Sequence, residues 1–138
     1  MDIAIPLYDR FTALDAVGPY DVLSRVPGTT VTFLAAEPGP KRTENGMLAL
    51  VADRALEELP EPDVLVVPGG FGTRALLDDE RMLGWLRRAH ETSRCMMSVC
   101  TGALLLGAAG ILDGLEATTH WVEPRRSSGS ALGPARGG

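Results

Sequence analysis

Val64-Leu65-Val66-Val67 is apolar at every position and stops at Pro68-Gly69-Gly70. A strand sends successive side chains to opposite faces, so a strand with no polar position needs cover on both. That demand is met in a parallel sheet held between helices. The rest of the chain fits the same plan. Residues 3–8 alternate weakly and read as a first strand. Residues 11–18 read as a loop into a helix with Pro19 in its first turn, and Pro27-Gly28 stops that helix. Thr29 to Ala36 is β-branched and apolar, as a buried strand requires. Residues 37–46 read as a Pro/Gly-rich loop, 47–52 as a short strand and 56–62 as a connector. A helix is expected over 76–91, with Leu77, Met82, Leu83 and Leu86 on its apolar stripe. Residues 94–99 read as another buried strand. Residues 101–109 are so apolar that the helix they form must be covered nearly all round. Residues 115–120 offer one more strand. Strands alternating with helices predict an α/β three-layer sandwich with a mostly parallel sheet.

The bulk numbers narrow the function classes. A length of 138 residues suits one domain. The net charge is −5 and the basic residues are scattered, which argues against binding nucleic acid or an anionic membrane through charge. No segment reads as a helix-turn-helix with a basic face. No apolar run approaches the ~18 residues needed to span a bilayer. The opening Met1-Asp2-Ile3-Ala4-Ile5-Pro6 lacks the basic start of a signal peptide, so the cytoplasm is the default compartment. Cys95 and Cys100, five apart on one strand, match neither a zinc pattern nor a redox pair and lie too far apart for a disulfide. With His90 and His120 as the only histidines, no metal site is expected. From Pro124 onward the chain reads PRRSSGSALGPARGG. So little apolar surface cannot offset the entropy of ordering, so residues 124–138 are expected as a disordered tail behind a domain spanning 1–123.

The chemistry concentrates at Ser98-Val99-Cys100-Thr101-Gly102. Cys100 falls at the turn between a buried strand and a buried helix. Such a turn lifts a side chain clear of the sheet at the carboxyl end of a strand, as a nucleophile elbow does. Gly102 permits close approach of a neighbouring backbone. The free N–H groups of the following helix are expected to lower the thiol pKa. Cys95, inside the strand, is expected in the core. Gly69 and Gly70, at the end of the neighbouring strand, can present backbone N–H groups to Cys100 and hold developing negative charge; the same residues also suit a plain turn. Gly69-Gly70-Phe71-Gly72 does not match the dinucleotide fingerprint G-x-G-x-x-G. Asp15 suits either of two roles: a cap for helix N–H groups, or a carboxyl group exchanging a proton with the thiol. His120 reads as a base or orienting group for Cys100, or as a structural histidine. His90 is expected in solvent.

Three segments, LDAVGPYDVL (14–23), DVLVVPGGFG (63–72) and SVCTGALLLGAAGILDGLEATTHW (98–121), resemble the ThiJ/PfpI superfamily, a set of flavodoxin-like domains related to class I glutamine amidotransferases. Within it the chain is similar to the isonitrile hydratase branch and to ligand-sensing domains fused to AraC-type regulators. The resemblance implies a flavodoxin-like fold, Cys100 as nucleophile and Asp15 as proton donor and acceptor. It also implies Gly69, Gly70, Thr101 and His120 as binding positions, with no cofactor. Thr101 stands where the protease-like branch carries histidine, which favours hydration over peptidase chemistry. The implied reaction converts an isonitrile to an N-formamide through a thioimidate on Cys100. The alternatives are a non-enzymatic sensor domain and a redox or carbonyl-stress protein. The family domain continues beyond TTHW, so a shortened sheet that relies on a homodimer is expected here.

Overall fold

A computed structural model describes residues 1–111. The chain runs β1 (Asp2–Pro6), α1 (Ala13–Leu23), β2 (Thr30–Ala35), β3 (Gly39–Arg42), β4 (Ala49–Ala52), β5 (Arg54–Ala55), β6 (Val64–Val67), α2 (Glu80–Thr92), β7 (Cys95–Ser98) and α3 (Gly102–Ala108). Five strands form one sheet in the order β5-β2-β1-β6-β7, and every neighbouring pair is parallel. With its flanking helices this is the flavodoxin-like α/β arrangement expected. The strand order reverses beside β1, and in open sheets of this kind the crevice at such a point, outside the carboxyl ends of the strands, is where ligands bind.

The core follows from the apolar runs. Leu65, Val66 and Val67 of β6 are fully buried, as are Ala4 and Ile5 of β1. Each such aliphatic side chain contributes roughly 1.5–3 kcal/mol relative to exposure. Helix α2 buries Met82, Leu83, Trp85, Leu86 and Ala89, and the Trp85 indole donates to the Leu59 carbonyl at 3.1 Å. Helix α3 is buried at every position except Ala108.

Several sequence expectations shift. The segment read as a loop over 11–18 is already helical from Ala13, and Pro19 lies inside α1 rather than in its first turn. The helix expected from residue 76 begins at Glu80, because Asp79 caps it by accepting from the Arg81 and Met82 N–H groups at 3.0 and 3.4 Å. Residues 71–76 form a 3-10 turn instead. The expected loop over 37–46 contains β3, which pairs with β4 as an antiparallel hairpin. Asn45-Gly46 turns that hairpin: the Asn45 carboxamide accepts from the Met47 N–H at 3.0 Å and Gly46 sits at φ 74°. That dipeptide is the strongest short hairpin signal a sequence carries. Strand β7 is half exposed rather than buried, and Cys95 lies in solvent rather than in the core. Its neighbour on one side is β6, and among the described residues it is the last strand of the sheet. The strand expected over 115–120 and the tail over 124–138 lie outside the described residues.

Candidate functional site

The carboxyl ends of β1, β6 and β7 converge. After β7, the Val99 N–H bonds the Val67 carbonyl at 3.0 Å and the Gly102 N–H bonds the Val99 carbonyl at 2.9 Å. Those two bonds fold residues 99–102 into a tight turn with Cys100 at its apex, at φ 50°. A side chain at that angle is pressed against its own backbone. The turn also needs glycine after it: a Cβ on Gly102 would strike the Val67 carbonyl oxygen. The sequence therefore builds the strand-to-helix elbow expected at Cys100.

Asp15 comes from the first turn of α1 and is 5% exposed. Its Oδ2 accepts from the Gly69 N–H at 3.2 Å and Oδ1 lies 3.8 Å from Cys100 Sγ. Of the two roles open to it, the geometry brings it to the thiol. Thr101 Oγ1 accepts from the Gly70 N–H at 2.9 Å and donates to the Gly70 carbonyl at 3.3 Å. The Gly69 and Gly70 N–H groups thus orient Asp15 and Thr101 rather than facing the sulfur as free donors. Both glycines are required by space: a Cβ on Gly69 would lie 2.7 Å from the Thr101 nitrogen, and one on Gly70 would meet the Arg10 carbonyl. Cys100, Asp15, Gly69, Gly70 and Thr101 are therefore brought together. His120 lies outside the described residues, and His90 is exposed.

Electrostatics correct one expectation. Burial, together with the charge and hydrogen bond of Asp15 and the charge of Glu44, pushes the Cys100 thiol up rather than down. Helix α3 is only seven residues long, and its N-terminus does not offset burial and the neighbouring carboxylate. Burial also raises Asp15, against the lowering effect of the Gly69 N–H and Cys100; the charge of Glu44 adds to the rise. The two groups together hold protons to higher pH than either would in water. That suits a pair that passes a proton between carboxyl and sulfur.

Two residues of this region escaped the sequence reading. Tyr8, at the end of β1, donates its buried hydroxyl to the Pro68 carbonyl at 2.6 Å and pins the turn after β6. Burial, then the charges of Asp15 and Glu44, push that phenol upward. Glu44, just beyond β3, accepts from the Phe71 N–H at 2.9 Å, while its own N–H donates to the Phe11 carbonyl at 3.2 Å. The Asn45-Gly46 turn was the signal that could have placed Glu44. Among the described residues, no three His, Cys, Asp or Glu side chains gather as metal ligands, and no helix is long and apolar enough to cross a membrane.

The sequence profile of the DJ-1/PfpI family matches residues 1–129. Isonitrile hydratase from Pseudomonas putida is 40% identical over 122 residues, covering 88% of this chain and 53% of that protein. The HTH-type transcriptional regulator CdhR of Pseudomonas aeruginosa is 31% identical over 121 residues, 35% of its length. A ThiJ/PfpI family protein from Pseudomonas syringae superposes with a TM-score of 0.92 at 32% identity, over 97% of this chain and 56% of that one. The chain thus spans about half the length of the hydratase and of the solved structure.

Proposed function

This chain belongs to the DJ-1/PfpI family, and from that premise we propose that it hydrates an isonitrile to an N-substituted formamide. The contact of Cys100 with Asp15 at 3.8 Å carries the reading. Cys100 gives its proton up to the Asp15 carboxylate and the sulfur attacks the terminal isonitrile carbon. Asp15 returns the proton to that carbon, and a thioimidate results, bound through a new S–C bond. Asp15 then takes a proton from water as the water oxygen adds to the same carbon. Asp15 hands that proton to the nitrogen; as the S–C bond breaks, the hydroxyl proton passes through Asp15 to the leaving sulfur, restoring the thiol, and the formamide leaves. Protons balance over the cycle, one water is consumed, and no redox step occurs. The 40% identity to the P. putida hydratase supports the substrate class.

Formation of formamide from a neutral isonitrile, followed by proton NMR, tests the reading. Cys100→Ala should abolish turnover. Asp15→Asn should lower it roughly 10²–10⁴-fold with the fold intact. No formamide from the wild-type chain overturns the proposal. A second reading, a ligand-sensing domain, draws on the similarity to CdhR. Under it, Cys100→Ala would still bind the isonitrile and the wild type would not turn it over. A homodimer, expected from the sequence under either reading, is proposed as well, and a single monomeric species in sedimentation velocity removes it.

A further inference from the structure

Glu44 lines a groove and also belongs to the hydrogen-bonded frame of the site. The groove is an open cavity of about 330 Å³ lined by Phe11, Ala13, Thr43, Glu44, Met47 and Leu48, among others. Its wall is apolar at Phe11, Ala13, Met47 and Leu48 and carries its charge at Glu44. Ala13 stands two residues before Asp15 on α1. Glu44 Oε2 holds the Phe71 N–H, and the preceding Gly70 N–H holds Thr101, the neighbour of Cys100. None of the ion pairs among the described residues involves Glu44 or Asp15. The Glu44 charge adds the smallest contribution to the rise of Cys100 and Asp15, after burial.

We infer that Glu44 sets the charge preference of the site: with Asp15 it gives the approach to Cys100 a negative wall that turns away anionic electrophiles and admits neutral or cationic ones. The physical ground is simple. A carboxylate within a Debye length, about 8 Å at physiological salt, repels an incoming anion and attracts a cation. The inference rests on the proposed role of Cys100 as nucleophile, not on the isonitrile as its partner.

The test compares alkylation of Cys100 by iodoacetamide, which is neutral, and iodoacetate, which is an anion. Both reagents are attacked by the same thiolate, so the ratio of their rates cancels the thiol pKa and reports the local field. Peptide mass spectrometry reads Cys100 and the exposed Cys95 in the same sample. Glu44→Gln keeps an oxygen acceptor for the Phe71 N–H and removes the charge. It should lower the amide-to-acid rate ratio at Cys100 by about three- to tenfold and leave the ratio at Cys95 unmoved. Glu44→Asp, which keeps the charge, should stay near the wild-type ratio. Raising salt to roughly 0.5 M should lower the wild-type ratio more than that of Glu44→Gln, which keeps only Asp15. An identical ratio at Cys100 in wild type and Glu44→Gln, both folded by circular dichroism, overturns the inference. If Glu44→Gln does not fold, a salt-independent wild-type ratio overturns it instead. Loss of isonitrile hydration with the ratio shift intact removes only the proposed reaction. Hydration without the shift removes only the role of Glu44.

Discussion

Strands β6 and β7 lie side by side, in register from Val64–Cys95 to Val67–Ser98, and each ends in a tight turn that supplies the site. They differ in cover. Every residue of β6 is buried, between β1 on one side and β7 on the other. Strand β7 alternates exposed and half-buried positions, with Met97 38% exposed. The glycine turn that orients Asp15 and Thr101 therefore grows from the firmest strand of the sheet. Cys100 grows from a more exposed one, and is tied to its buried neighbour by the Val99–Val67 hydrogen bond and by Gly102 against the Val67 carbonyl. The division teaches that a reactive group can sit on a weak strand if its partners are fixed by a strong one.

The contrast is open to direct attack. Leu65→Ala should cost about 2–5 kcal/mol in chemical denaturation, because it opens a cavity in a fully packed strand. Next in size is the electrostatic consequence of seating the thiol beside a buried carboxyl. Alkylation of Cys100 by iodoacetamide should titrate above the ordinary thiol value of about 8.5, and Asp15→Asn should bring it down. Asp15 also bears on stability. Its folded pKa is raised, so the folded state binds its proton more tightly than the unfolded chain. That contribution is full below the unfolded value of about 3.9 and is lost as pH rises through the raised folded value. At neutral pH, Asp15→Asn should accordingly melt no lower than the wild type. The smallest effect belongs to β7: Met97→Ala should change stability by no more than about 0.5 kcal/mol. Equal losses from Leu65→Ala and Met97→Ala would erase the distinction between the strands.

Much of this was legible in the residues. An all-apolar VLVV run announces a strand covered on both faces, and β6 is that strand. The elbow was equally plain, since an apolar run, Cys100, Gly102 and a second apolar run leave a single place for the turn. What the sequence hid depends on neighbours. CMMSV looks as buried as VLVV, but among the described residues β6 alone pairs with its strand, and composition does not report that. The orientation of Asp15 was hidden for a similar reason. A carboxylate in a first helical turn suits the helix N-terminus, and only the packing of α1 against β6 turns it toward Gly69 and Cys100. The rise of the thiol follows from burial and from Asp15, with a smaller contribution from Glu44, which arrives from a hairpin that the Pro and Gly residues of 37–46 made look like loop.

The φ of 50° at Cys100, together with 68° at Arg10 in the segment packed against Gly70, has a consequence for anyone selecting variants of this chain. A glycine at either position would relax a backbone that L-residues adopt at a cost of roughly 1–2 kcal/mol. A library screened for heat resistance alone would thus drift toward Cys100→Gly and discard the thiol while appearing to improve the protein. Selection for reactivity is the counterweight that would keep a bulky side chain at a place the fold would rather leave bare.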